Sequence, residues 1–179
     1  MRLLAISGSL RARSQNTAAL RACAALARPP TVVALFDGLS DLPAFNPDQE
    51  EAMRRDHPTV VALYAAVDQA DGLLFAVPEY AHGVPGALKN LLGWLVGHEN
   101  FAGKPTALIN VAPRAFHANA SMREILATMA AVVVAQALVT LPHSANSLDV
   151  KEILAESACW EGLASALAAV ETAARARRN

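Results

Sequence analysis

The sequence predicts a single α/β domain built on a parallel sheet with helices on both faces. Short apolar runs alternate five times with segments of helical period. Those runs are nearly continuous rather than alternating, as strands covered on both faces are. The 179 residues contain no internal repeat, low-complexity tract or linker. Residues 1–179 therefore read as one folding unit, long enough to bury its own core.

Taken in order, residues 2–6 (RLLAI) form the first buried strand. After a polar, glycine-containing turn, Leu20, Cys23, Ala24 and Ala27 recur with helical period from Thr17 to Ala27, and Pro29 and Pro30 end that helix. Residues 31–36 (TVVALF) make the second strand. The stretch from Asp37 to Asp56 carries Gly38, Pro43, Pro47 and several charges, and reads mostly as loop. Pro58 suits the first turn of a helix that presents Val60, Leu63, Tyr64 and Val67. Residues 72–77 (GLLFAV) form the third strand, and Pro85 the first position of a helix with Leu88, Leu91, Leu92 and Leu95 inward. Residues 105–111 (PTALINV) give the fourth strand. Met122, Ile125, Leu126 and Met129 mark the next helix, and residues 132–140 (VVVAQALVT) the fifth strand. One last helix is expected from Val150 to Ala176, with Trp160, Leu163, Leu167 and Val170 inward.

Charge and composition narrow the function. Acidic and basic residues nearly cancel, leaving a formal charge of −1, which argues against nucleic acid as a partner. The basic cluster Arg175, Arg177 and Arg178 suits a solvated helix C-terminus. No apolar run approaches the roughly 20 residues that cross a bilayer, and the opening residues make a poor secretory signal. No membrane partner is expected, and the expected location is the cytoplasm. Cys23 and Cys159 lie far apart in helical segments without metal-ligand spacing, so they read as small core residues and no metal is expected.

Open parallel sheets bind ligands beyond the carboxyl ends of their strands, where the strand order reverses. The informative loops are therefore those after the first, third and fourth strands. The first reads SGSLRARSQNT and runs into a helix start, where backbone amides and the helix dipole favour an anion. Gly8 permits a tight turn; Ser9, Ser14 and Thr17 offer hydroxyls, Asn16 an amide, and Arg11 a permanent charge that forks onto phosphate. The triphosphate motif GxxxxGK[ST] and the dinucleotide motif GxGxxG are both missing, which leaves a single phosphomonoester as the expected anion. Taken singly, each residue also fits an ordinary capped turn. The loop after the third strand, PEYAHGVPG, has two prolines and two glycines that fix its path and expose amides, with Tyr80 as an apolar flank. It also fits a plain strand-to-helix connection.

Together, GSLRARSQN (Gly8 to Asn16) and PEYAHGVPGALKN (Pro78 to Asn90) resemble the NAD(P)H-dependent FMN reductase family, which includes chromate- and quinone-reducing members. The resemblance runs through about Pro142. It implies a flavodoxin-like three-layer sandwich, strand order 2-1-3-4-5, with bound FMN and with NAD(P)H as hydride donor. It also implies a small acceptor such as a quinone, and a homodimer or homotetramer. It assigns Ser9, Arg11, Ser14 and Asn16 to the FMN phosphate, and Pro78, Glu79 and Tyr80 to the isoalloxazine ring.

The chain departs from the family at three places. Ala81 stands where the family usually has Asn, Gly83 where it commonly has Ser, and NVAPRAFHANAS (Asn110 to Ser121) where it has a glycine-rich loop. Gly83 is expected to offer the flavin its backbone amide, and Arg114 or His117 to serve the altered loop. His82 and His117, both read as loop residues, join Ala81, Gly83 and Arg114 as cofactor-side candidates, although a solvated loop histidine is the ordinary alternative. The flavin carries the chemistry, so no catalytic side chain is expected. The leucine-rich helix around Trp94 either contributes to self-association or simply packs on the sheet. Two further readings stay open. One is a flavodoxin-like scaffold that has lost flavin and binds another phosphorylated ligand or a protein. The other is an electron carrier like a true flavodoxin, which the near-neutral charge places last.

Overall fold

The computed structural model describes residues 1–142 and 149–178. Its five strands are β1 (Arg2–Ser7), β2 (Val32–Leu35), β3 (Gly72–Ala76), β4 (Pro105–Asn110) and β5 (Val132–Thr140). They form one sheet in the order β2-β1-β3-β4-β5 with every pairing parallel. This is the expected order, and it reverses between β1 and β3.

Alternating side chains along each strand divide the core in two. Leu3 and Ala5 of β1, Leu74 and Ala76 of β3, and Ala107 and Ile109 of β4 face α1 (Gln15–Leu26), α6 (Val150–Ala155) and α7 (Ser157–Arg178). Leu4 and Ile6, Leu73 and Phe75, and Leu108 face α3 (Pro58–Gln69), α4 (Gly86–Leu95) and α5 (Phe116–Thr128). β3 and β4 are buried at every position, which explains their unbroken apolar sequence.

Several expectations need correction. Residues 37–56 are not mainly loop: two 3₁₀ turns, Leu39–Asp41 and Pro47–Gln49, lead into α2 (Glu50–Asp56). Helix α2 buries none of its residues, so it leaves no apolar stripe to read. This segment is strapped across α4 by Asn90, which accepts from the Phe45 amide at 2.7 Å and donates to the Pro43 carbonyl at 2.8 Å. Trp94 donates to the same carbonyl and is only 1 % exposed, so α4 packs on the sheet rather than offering its stripe to a partner. Pro85 caps α4 instead of opening it. The last helix breaks at Glu156 into α6 and α7. Trp160 points outward at 42 % exposure, because the inward stripe of α7 is Cys159, Leu163, Ala166, Leu167 and Val170 and its neighbour falls about 100° away. Both cysteines are free and buried as expected.

Candidate functional site

At the carboxyl ends of β1, β3 and β4, three loops converge on a cleft of about 180 Å³. The first loop is held against the third strand by the Gly8 amide, which donates to the Ala76 carbonyl at 2.8 Å. A Cβ on Gly8 would stand 2.9 Å from Leu88 Cδ2 and 3.1 Å from Pro78 Cδ, so only glycine lets the first two loops close on each other.

Ser9, Arg11, Ser14, Asn16, Pro78, Glu79 and Tyr80 all line this cleft, as the sequence reading expected. Ser14 is the N-cap of α1 and accepts from the Thr17 amide at 3.3 Å, which leaves its hydroxyl proton free to donate. Gln15 and Asn16 are the first residues of α1, where amides precede the helical ladder and the dipole is positive. Asn16 is 6 % exposed, and its buried Oδ1 has no hydrogen-bond partner. A buried amide left unpaired in this way costs about 1–3 kcal/mol until something completes it. Arg11 is exposed and makes no side-chain bond to any described residue. Thr17 is a correction: its hydroxyl donates to Ser7 Oγ at 2.8 Å and serves the loop itself.

The second loop is a tight turn. Tyr80 and Gly83 exchange backbone bonds of 3.2 and 3.0 Å around Ala81 (φ 49°) and His82 (φ 57°). Two central residues of left-handed φ define a type I′ turn, a conformation that favours Gly, Asn or Asp and is strained for alanine. The Gly83 amide is thus engaged by Tyr80 and is not free for a ligand, contrary to expectation. Glu79 Oε2 accepts from the Ala118 amide at 2.8 Å in the first turn of α5, where a carboxylate is favoured. Its carboxylate therefore joins the second loop to the third.

Ala81, His82, Gly83, Arg114 and His117 lie outside the cleft lining. His117 belongs to the first turn of α5 rather than to a loop. The structure does bring His82 and His117 together, stacked at 4.2 Å between ring centroids, with Phe116 4.0 Å beyond. Arg114 is exposed. The sequence reading missed Gln15, Val77, Val111, Ala112 and Ala115. Apart from Gln15 these are small apolar residues whose contribution is surface and backbone, and no side-chain motif announces that.

Burial pushes the Cys23 thiol up to about 12 and, with help from Glu156, the Cys159 thiol up to about 11, so neither is poised as a thiolate. No group of three or more metal-ligating side chains is present among the described residues. A larger cavity of about 370 Å³ lies between the end of α1 and α7, by Pro29 and Trp160, remote from the carboxyl ends of the strands.

An open parallel sheet of this order, with helices on both faces and a cleft at its switch point, defines a flavodoxin-like protein. The sequence profile of the NADPH-dependent FMN reductases matches residues 1–146, and the chain belongs to that family. An NAD(P)H-dependent FMN reductase of Pseudomonas aeruginosa is 35% identical over 119 residues, 65% of this chain and 62% of that protein. A quinone reductase of Pseudomonas putida is 35% identical over 127 residues, 68% of this chain and 67% of that protein. This chain thus spans under two thirds of the length of the first of these relatives. Among solved structures, the flavoenzyme NAD(P)H:(acceptor) oxidoreductase FerB of Paracoccus denitrificans superposes with a TM-score of 0.72 at 24% identity. That match covers 96% of this chain and 97% of FerB and shows the shared fold.

Proposed function

We propose that this chain binds FMN in the three-loop cleft and passes reducing equivalents from NAD(P)H to a small quinone-type acceptor. The observation that carries the reading is the buried, unpartnered side-chain amide of Asn16 at the N-terminus of α1, beside the free charge of Arg11. Such a pair fits the phosphate and ribityl end of a flavin mononucleotide. The Asn16 amide turns either its oxygen to a ribityl hydroxyl or its NH₂ to a phosphate oxygen. Ser9 and Ser14 add hydroxyl donors, and Gln15 and Asn16 add backbone amides. Pro78, Tyr80, Val111, Ala112 and Ala115 supply the apolar walls that a flat ring requires.

Bound FMN would supply the hydride-accepting chemistry, which needs no catalytic side chain. The work of the protein is position and exclusion of water. Glu79 holds the second loop to α5, and Gly8 holds the first loop to the second. The names of the relatives support the donor and the acceptor class.

Self-association as a homodimer or homotetramer and a cytoplasmic location belong to the same reading. Val96, 62 % exposed at the end of α4, is an apolar contact left open for a second copy. No described helix is long and apolar enough to cross a membrane.

Anaerobic NADPH or NADH added to the FMN-loaded protein tests the reading. Loss of the visible flavin absorbance and its return with a quinone are expected. A protein that leaves FMN free in solution, or bound flavin that neither nucleotide bleaches, would refute it.

A further inference from the structure

The segment between β4 and α5 has two lined sides. Val111, Ala112 and Ala115 face the cofactor cleft, whereas Asn110, Pro113 and Phe116 line a second cleft of about 240 Å³ on the way to β5. Asn119 and Arg123 lie three and seven residues beyond Phe116, on the same face of α5, and line it too. Thr140 closes it at the end of β5.

The chemistry of this cleft is specific. Phe116 is 62 % exposed, although the same helix buries Met122 and Leu126 completely. Its ring is steadied by His117, which in turn stacks on His82. Arg123 is exposed and pairs with no carboxylate among the described residues. Asn119 donates its amide to the Ala115 carbonyl at 2.7 Å, which leaves Oδ1 as an acceptor. Asn110 accepts from the Ala112 amide at 3.0 Å, which leaves Nδ2 as a donor. An open aromatic face, an unpaired guanidinium, one acceptor and one donor, with no acidic lining, match a heteroaromatic base that bears an exocyclic amine and a phosphate.

A nicotinamide dinucleotide carries such a group at the end remote from its reactive ring. We propose that the second cleft holds the adenosine phosphate end of the hydride donor. Phe116 stacks on the base, Asn119 accepts from its amine and Arg123 binds the phosphate. The donor then straddles the segment 110–116, with its nicotinamide on the cofactor side. This assignment rests on the proposed oxidoreductase function, and it makes Phe116 and Arg123 positioning residues rather than catalytic ones.

The test uses FMN-loaded protein and the variants Arg123→Ala and Phe116→Ala, both at exposed positions. Stopped-flow reduction by NADPH should require about tenfold more nucleotide for half-saturation in Arg123→Ala, the loss expected for one charged hydrogen bond. The limiting rate and the flavin spectrum should not change. The fragment 2′,5′-ADP, added without any flavin, should shift the NMR signals of Phe116, Asn119 and Arg123, and in Arg123→Ala the shifts of Phe116 and Asn119 should need about tenfold more fragment. Half-saturation within about twofold of wild type in both variants, or no shifts with 2′,5′-ADP, overturns the cleft assignment. Fragment binding that persists in a protein unable to hold or reduce FMN supports the cleft and refutes the function proposed above.

Discussion

The two edges of the sheet treat their polar groups differently. At the N-terminal edge, groups are paired with one another. Asp71, just before β3, accepts from the Arg2 amide at 2.7 Å and pairs with Arg178 at the end of α7. Lys104, 3 % exposed before β4, donates its ammonium to the Ala70 carbonyl. Asp68 holds both His98 and Asn100, and Arg177 reaches the Ala102 carbonyl. At the C-terminal edge the Asn16 amide oxygen is orphaned, and Arg11 and Arg123 have no partners among the described residues. Left-handed alanines occur at both edges, Ala81 here and Ala130 just before β5. Among the described residues, the named polar groups of the first edge find partners within the chain, whereas those of the second are left open to a ligand. The unpaired polar groups lie where a cofactor and its reductant would bind.

Substitutions should separate the edges. Arg11→Ala is expected to weaken FMN by about 1.5–3 kcal/mol, the range for a charged hydrogen bond, without changing the unliganded melting temperature. Fluorescence titration and calorimetry read the two quantities, and a fall in unliganded stability would place Arg11 in the fold instead. Asn16→Leu should act in opposite directions. It removes an unpaired buried polar group, so the unliganded protein gains about 1 kcal/mol while FMN binds more weakly. Urea denaturation with and without FMN checks both signs. Asp71→Asn should cost about 1 kcal/mol through its partly exposed pair with Arg178 and leave FMN affinity unchanged. Ala81→Asn should add from a few tenths to about 1 kcal/mol, since asparagine tolerates the left-handed conformation better.

The paired edge also carries a pH signature. Burial works to raise the Asp71 carboxyl, but its bonds from Arg178 and the Arg2 amide outweigh burial and hold it below the usual carboxylate range. Its folded value is thus lower than its unfolded value of about 3.9. The stability it contributes is complete above that unfolded value and is lost as pH falls through the folded one. Asp71→Asn should flatten the acid limb of the melting-temperature profile, and an unchanged limb would count against the pair.

How much of this was legible in the sequence follows from what each element buries. β3 and β4, covered on both faces, print unbroken apolar runs, and α3 and α4 print stripes. Helix α2 lies on the surface and prints nothing. Trp160 is apolar but sits one residue off the inward stripe of α7, so spacing alone misplaced it. In the cleft, the lining positions of Ser9, Arg11, Ser14 and Asn16 were legible because hydroxyls, an amide and a guanidinium gathered just before a helix start stand out in a sequence. The left-handed turn at Ala81 and His82 was not legible, because the residues that usually mark such a turn are absent from its two central positions. Nor was the use of the Gly83 amide and the Thr17 hydroxyl inside their own loops, which only coordinates reveal.

Amide hydrogen exchange with and without FMN tests the contrast between the edges most directly. Protection is expected to rise in residues 8–18, 77–83 and 110–118, and to stay constant around Asp71 and Lys104. Protection spread evenly over both edges, or no change in the three loops, would contradict the account.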